Sequence, residues 1–326
     1  MNDLVSVIIP AYNAASRIRY TLESIAAQDY GDIEIILVDD ASKDETGKIA
    51  REVLDASGRS YRIITHSLNR GECASRNTGI DAANGRYVCF IDADDLVRGN
   101  FVSRLHDAVS AGECDISFCG LTDRFTDGQP DRDIPPKLSG QGEELILTRS
   151  VPPVWCCMYD AGFLRRCGLK FYEGCTAGGD VEFITKALCR AGKIAAVNEC
   201  LYVYMHHEAM GSVRDNDTRD KKILRYSHNT GAQVRTAEYL AGHSSSPELR
   251  DMAGKILLPQ GVIRRLTLAA MKDDRKEYDA ILEDSEIRKT LRKALGVYTL
   301  IRRPEIFVKA LMIMMMPGIY YSVRKR

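Results

Sequence analysis

Asp92, Asp94 and Asp95 fall within four residues, directly after the apolar run Arg86–Ile91. If that run is a strand and continues, Asp92 and Asp94 point to the same side of it. Two hard carboxylates on one side suit Mg2+ or Mn2+, and such a cation can in turn hold a diphosphate. Two other readings use the same residues: a polar strand end with solvated carboxylates, and the nucleophilic Asp-x-Asp of a phosphatase. The phosphatase motif follows a first strand and runs into a small polar pair. Here the triplet ends a fourth strand-like run and Leu96 follows it. Two further polar clusters end apolar runs in the same way, Tyr12–Asn13 after Val5–Pro10 and Asp39–Asp40 after Ile33–Val38.

The elements that would position these residues are legible in the spacing. Val5–Pro10 and Ile33–Val38 are continuous apolar runs rich in β-branched residues, which suits strands buried on both faces. Between them, residues 16–28 place Ile18, Leu22 and Ile25 at helical spacing. Ser42-x-x-Glu45 reads as a capping box for a helix carrying Ile49 and Val53. Tyr61–Thr65 is a third strand, Arg76–Ala83 a helix, and Arg86–Ile91 the fourth strand. Strands separated by helices predict right-handed βαβ units and a parallel sheet, whose ligands bind beyond the carboxyl ends of the strands. All three polar clusters fall at those ends.

Other classes are tested by what is missing. A dinucleotide fold needs a Gly-x-Gly-x-x-Gly turn after its first strand, and Pro10–Ala15 contains no glycine. A P-loop is absent as well. The 326 residues carry 45 basic and 45 acidic side chains, which excludes a strongly cationic nucleic-acid binder. That balance hides a split: residues 1–220 hold 24 Lys and Arg against 34 Asp and Glu, and residues 221–326 hold 21 against 11. No signal peptide opens the chain. All ten cysteines lie between Cys73 and Cys200 without a Cys-x-x-Cys pair, which reads as reduced, buried thiols rather than a zinc framework.

The runs SVIIPAYNAASRIRYTLESIAAQDYGDIEIILVDDASKDET and NRGECASRNTGIDAANGRYVCFIDADD resemble glycosyltransferase family 2. The resemblance is dense over residues 4–100 and recurs in patches to about residue 214. It implies an α/β GT-A fold with a mostly parallel central sheet flanked by helices, and an inverting enzyme that uses a nucleotide-diphospho-sugar, UDP-sugar by default. It places Pro10, Ala11, Tyr12 and Asn13 along the nucleoside pocket. Asp40 would accept the base N–H with Asp39 in support; the other reading of Asp39 is a strand-end carboxylate capping backbone N–H groups. Arg76 would lie near the base or diphosphate, and Asp92, Ala93 and Asp94 would form the family's Asp-x-Asp. Asp94 is then the direct ligand of Mn2+ or Mg2+, and Asp92 touches ribose or metal.

Further along, Phe171-Tyr-Glu-Gly174 and Gly179-Asp-Val-Glu-Phe183 resemble the family's base motif, in which a Glu-Asp pair opens a helix. Gly179 stands where the Glu is expected, and Asp180 becomes the catalytic base. Its other reading is a helix N-cap. Tyr202-x-Tyr204-x-His206-His207 resembles a later motif in which His207 ligates the metal or touches the diphosphate, while His206 is a bystander. Ser212 and Arg214 would fold over the diphosphate. Trp155 and Gly179 are weak candidates on the acceptor side, and core packing explains Trp155 almost as well.

The predicted domains are a GT-A catalytic domain over 1–215 and a helical extension over 216–326, with helices near 221–242, 247–270, 274–283 and 285–300. Residues 123–142, rich in Asp, Pro and Gly, read as a surface loop or lid. Within the apolar and basic tail 302–326, Ile306–Val323 is interrupted by Lys309 and Pro317 and is short for a transmembrane helix. Its composition suits a segment lying in a membrane interface; the other reading is a core helix. The expected setting is cytoplasmic, peripheral on the cytoplasmic face of a membrane, with a glycan or lipid-linked acceptor, no nucleic-acid partner, and a role in envelope polysaccharide assembly. Two other functions use the same features: a non-catalytic nucleotide-sugar binding subunit, and a nucleotidyltransferase. The latter would carry a glycine-rich basic loop after the first strand, which Ala11–Arg19 is not.

Overall fold

The structure, a computed structural model, describes residues 3–137, 140–206 and 218–325. By internal contacts the chain divides into two units: Met1–Thr176 with Phe183–Asn216, and Ala177–Glu182 with Asp217–Arg326. This differs from a single boundary near residue 215, because the short segment 177–182 groups with the helical unit.

The first unit is built on a nine-stranded sheet. It contains β1 (Val5–Ala11), β2 (Ile33–Asp39), β3 (Ser60–Thr65), β4 (Tyr87–Phe90), β5 (Leu96–Val97), β6 (Ile116–Phe125), β7 (Arg132–Ile134), β8 (Cys157–Asp160) and β9 (Ile194–His206). The order is β3-β2-β1-β4-β8-β6-β9-β5, with β7 on β6. Strands β3, β2, β1 and β4 are parallel, as the alternation of runs predicts. Beyond β4 the sheet is mixed: β8 runs antiparallel to both β4 and β6, and β9 returns parallel to β6. The chain therefore leaves β1 in opposite directions toward β2 and β4, which makes the crevice at their carboxyl ends a topological switch point.

Every residue of β1, β2 and β4 is buried, which is why their sequences are mostly apolar rather than alternating; within them the buried Ser6 hydroxyl donates to Glu34 Oε1 at 2.6 Å. Helices α1 (Ile18–Ala26) and α2 (Thr46–Ser57) bury Ile18, Leu22, Ile25, Ala50, Val53 and Leu54 against the sheet. Helix α3 begins at Glu72, four residues before the predicted Arg76, and runs to Ala82. Most of the ten cysteines are buried. The segment read as a lid is in part regular: Asp123–Phe125 completes β6, which pairs with β7 as a hairpin, and α4 (Gly142–Leu147) follows. The expected capping box does not form. Glu45 at the start of α2 makes no capping bond, and Asp44 instead accepts from the Thr46 N–H at 3.0 Å.

The helical unit has its own core, in which Ile256, Leu266, Ala269, Tyr278 and Leu291 meet Ile306, Ala310, Ile313 and Tyr320 of the tail. The tail is two helices, Pro304–Met315 and Pro317–Lys325, bent by 114° at Met316. Pro317 cannot continue a preceding helix and suits the start of a new one. No single helix among the described residues is long and apolar enough to cross a membrane.

Helix α3 lies close on β1 because Gly79 has no side chain. A Cβ there would sit 2.3 Å from Ile8 Cγ2, and Ile8 is fully buried and stiff at χ1. Gly79→Ala gains about 1 kcal/mol of helix propensity but meets an overpacking cost of roughly 1–3 kcal/mol. The expected net effect is a loss of about 1 kcal/mol in urea denaturation, and an unchanged or higher midpoint would show that α3 does not depend on this contact.

Candidate nucleotide-sugar site

Register brings the three polar clusters together. Ala11 at the end of β1 is paired with Asp39 at the end of β2, and Ile8 of β1 is paired with Phe90, the last residue of β4. The loop after β1 is fastened to the loop after β2 by four bonds. Asn13 N–H donates to Ser42 Oγ (2.9 Å), Lys43 N–H to Asn13 Oδ1 (2.8 Å), Ala14 N–H to Thr46 Oγ1 (2.7 Å) and Ala15 N–H to Asp44 Oδ2 (3.1 Å). Asn13 has φ 50°, a left-handed conformation that Asn tolerates better than most residues. Its side-chain oxygen works within the loop. Pro10 and Ala11 are buried at the floor, and the Tyr12 ring is 47% exposed at the rim.

The two carboxylates at the end of β2 differ from the sequence reading, in which Asp40 takes the base. Asp40 has both oxygens engaged: Oδ1 accepts from the Arg70 N–H (2.9 Å) and lies 2.7 Å from His66 Nδ1, and Oδ2 accepts from the Gly71 N–H (2.7 Å). His66 in turn reaches Thr78 Oγ1 at 3.0 Å. Asp40 therefore orders the entry to α3. Asp39 Oδ1 accepts from the Ser42 N–H (3.0 Å), while Oδ2 makes no hydrogen bond with the described residues. Gly47 leaves room beside that oxygen. Of the pair, Asp39 is the one with an oxygen that no described residue engages.

The acidic triplet is not a continued strand. β4 ends at Phe90, and Asp92–Asp95 is a tight turn closed by the Asp95 N–H on the Asp92 carbonyl at 3.2 Å. Asp92 and Asp94 are half-buried on it, while Ala93 and Asp95 are buried. Asp92 Oδ1 accepts from Arg76 Nη2 at 2.7 Å. Arg76 is fully buried, also pairs with Glu72, and has its guanidinium carbon 5.3 Å from the centre of the Phe171 ring. Asp95 accepts from the Tyr202 hydroxyl (2.8 Å) and from the Met205 N–H (2.8 Å), which ties the turn to β9. Burial, then the neighbouring Asp92 charge, pushes the Asp95 carboxyl up to about 8, against the pull of the Met205 bond. The half-buried Asp92 and Asp94 present hard carboxylate oxygens on one turn, a donor type that suits a divalent cation. Among the described residues no group of three His, Cys, Asp or Glu side chains converges as a metal site. His207, the third ligand of the sequence reading, lies outside the described residues, as do Ser212 and Arg214.

Sequence reasoning passed over the lock that holds the far wall. Asn77 pairs with the backbone of Phe171 through both side-chain atoms (2.9 Å each) and donates to Glu173 Oε1 (3.2 Å). Glu173 Oε2 accepts from Arg70 at 2.9 Å. The Ser-Arg-Asn run and Phe-Tyr-Glu-Gly were each visible as motifs, but nothing in either indicated that they meet. Trp155 lies against Tyr202 and Tyr204, with ring centres 4.3 and 5.4 Å away, so its indole is part of an aromatic cluster. His206 is engaged by Asp123 at 2.9 Å and stacks on Phe125.

Asp180 is in the first turn of α5 (Gly179–Arg190), next to Gly179. That turn groups with the helical unit, and two contacts within the unit show why. A Cβ on Gly178 would meet Asn229 Oδ1 at 2.7 Å and Ala232 Cβ at 3.1 Å, so only glycine allows this approach to the helix Arg219–His243. Two residues beyond Asp180, the buried Glu182 is gripped by Arg235 of the same helix, with contacts of 2.7–3.1 Å.

Residues 6–167 match the family model Glycosyl transferase family 2. The chain is 34% identical over 214 residues to an uncharacterized glycosyltransferase, EpsJ of Bacillus subtilis, covering 63% of this chain and 61% of EpsJ. It is 29% identical over 239 residues to the succinoglycan biosynthesis protein ExoO of Rhizobium meliloti, covering 69% and 64%. The chain thus spans less than two thirds of the length of these curated relatives. Among solved structures it is similar to Staphylococcus aureus TarS 1–349 in complex with UDP-GlcNAc, with a TM-score of 0.71 at 17% identity over 99% of this chain and 90% of that one. It is also similar to the mannosyltransferase PcManGT of Pyrobaculum calidifontis in complex with GDP-Man and Mn2+, with a TM-score of 0.55 at 17% identity over 100% and 87%. The α/β architecture is the GT-A fold that the resemblance implied.

Arg235→Ala would leave the Glu182 carboxylate buried without its guanidinium, at an expected cost of about 3 kcal/mol. The double variant Arg235→Ala, Glu182→Leu should recover most of that loss, because no charge is then left buried. Thermal melts of both read the outcome, and a double variant as unstable as the single one would count against the ion pair as the anchor of this turn.

Proposed function

We propose that this chain, whose residues 6–167 form a glycosyltransferase family 2 domain, is an inverting glycosyltransferase. It moves a sugar from a nucleotide-diphospho-sugar to an acceptor hydroxyl in the assembly of a cell-surface polysaccharide or lipid-linked glycan. The observation that carries the reading is the switch-point crevice, where β2 and β4 deliver Asp39 and the Asp92–Asp95 turn to either side of β1. Support for the donor class comes from the fold neighbours, which hold UDP-GlcNAc and GDP-Man; a UDP-sugar is the default.

In this reading Asp39 Oδ2 accepts the base N–H, Tyr12 packs on the base, and Asp40 keeps the structural task its bonds describe. A divalent cation held by Asp94, with Asp92 and His207 as further candidates, would neutralise the leaving diphosphate. Arg76 holds Asp92 in place. Asp180 takes the proton from the acceptor hydroxyl as it attacks the anomeric carbon.

The test is turnover of a panel of nucleotide-sugars with Mn2+. Asp180→Asn should lower kcat by about 10²–10⁴-fold and leave the donor Kd nearly unchanged; equal loss of both sinks the base assignment. Asp94→Ala should abolish the part of UDP binding that depends on Mn2+, as read by calorimetry with and without the metal. UDP that binds the unaltered protein equally well without Mn2+ would remove the metal from the reading.

A further inference from the structure

We propose that the last three helices of the chain form a docking surface for an anionic lipid bilayer, lying in its interface rather than crossing it. More than half of the exposed large apolar side chains among the described residues fall in the run Val297–Val323. They are arranged by helical period. In Pro304–Met315 the residues Ile306, Ala310 and Ile313 enter the unit's core, and Val308, Leu311 and Met315 share the opposite face. Val308 is 57% and Met315 70% exposed. In the helix Val297–Arg302, Val297, Leu300 and Ile301 form a second such stripe, and Ile301 is 75% exposed. In Pro317–Lys325, Ile319 and Val323 form a third, one turn apart. Each helix thus has a buried side that explains its folding and an exposed apolar side that the folded chain does not need. Monomeric proteins seldom leave such a concentration uncovered without a partner for it.

Charge selects the partner. Arg302, Arg303, Lys309, Arg324 and Lys325 lie on or beside these helices, and Glu305 is the only acidic residue of the segment; Arg302, Arg303 and Lys325 pair with Glu248, Glu305 and Asp273, which leaves Lys309 and Arg324 without an ion pair among the described residues. A lipid headgroup layer accepts long basic side chains beside inserted apolar ones, and anionic lipid adds attraction for each of them. The 114° bend at Met316 and the short helices suit shallow insertion rather than a span. Tyr320 and Tyr321 do not face outward. They are buried, with the Tyr320 hydroxyl 2.8 Å from Thr267 Oγ1 and the Tyr321 hydroxyl donating to Asp273 at 2.9 Å. The anchor is therefore aliphatic and basic, not aromatic.

Flotation of the full chain with vesicles tests this directly. The protein should float with vesicles of phosphatidylcholine and phosphatidylglycerol, float less with phosphatidylcholine alone, and lose binding as salt rises. Val308→Asp with Met315→Asp should weaken partitioning by about tenfold or more, and Lys309→Glu with Arg324→Glu should weaken it on anionic vesicles only. All four sites are partly or fully exposed, so circular dichroism and melting should stay as in the unaltered chain. The proposal is overturned if the unaltered protein ignores both vesicle types, or if the Asp variant floats as well as it does. It is also overturned if light scattering shows a stable dimer that the Asp variant dissolves without any vesicle binding, since the face then belongs to a second copy.

Discussion

A fully buried guanidinium is the constraint on which the site depends. Arg76 is buried in the first unit, where an unpaired cation would cost several kcal/mol of lost hydration. Its stability there requires carboxylates at fixed positions, and Asp92 and Glu72 supply them. To bring Arg76 to Asp92, α3 must lie close on β1, and Gly79 is what permits it. The entry to α3 must also be ordered, and Asp40 does that by holding the N–H groups of Arg70 and Gly71. The far wall follows, because Asn77, one residue beyond Arg76, locks the Phe171–Glu173 segment. Fold and site are thus one network of charge compensation.

The same network shows why the acidic turn is poised. Arg76 engages Asp92, but nothing cationic reaches Asp95, whose partners are a hydroxyl and a backbone N–H. Hydrogen bonds favour the charged carboxylate less than burial and two like charges disfavour it, so the carboxyl stays high.

The parallel half of the sheet was legible because its strands are buried on both faces and their runs are unbroken. The mixed half was not. β8 is four residues long and β9 is buried only in patches, so neither announces its partner, and antiparallel insertion is a matter of long-range pairing. Among site residues, motif and position identified the clusters but not the division of labour within them. Asp39 and Asp40 are adjacent and chemically identical, and only the path of the loop at residues 66–71 decides which carboxylate caps backbone and which keeps an open oxygen. Ser42-x-x-Glu45 looked like a capping box because its spacing is right; the loop at Asn13 competes for Ser42 and wins it. The grouping of Asp180 with the helical unit was hidden for a similar reason, since Gly178 and Glu182 acquire meaning only once Asn229 and Arg235 are opposite them.

The charge split along the chain takes a narrower meaning from this. The acidic surplus of residues 1–220 is not mainly a property of the site, because Asp39, Asp40, Asp92, Asp94 and Asp95 are five carboxylates out of 34. Many of the others sit in exposed pairs such as Arg104–Glu199, Arg124–Asp131 and Lys170–Asp81, which salt screens and which add little. What matters at the site is local: three carboxylates in one turn, one guanidinium, and burial that lowers the effective dielectric between them. The basic surplus of residues 221–326 is also best judged locally. Arg302 pairs with Glu248 and Lys325 with Asp273, so part of it is neutralised within the helical unit. Lys309 and Arg324 form no ion pair with the described residues, and they lie on the helices whose apolar faces are exposed. Position relative to apolar surface, rather than the net count, gives those two cations their significance.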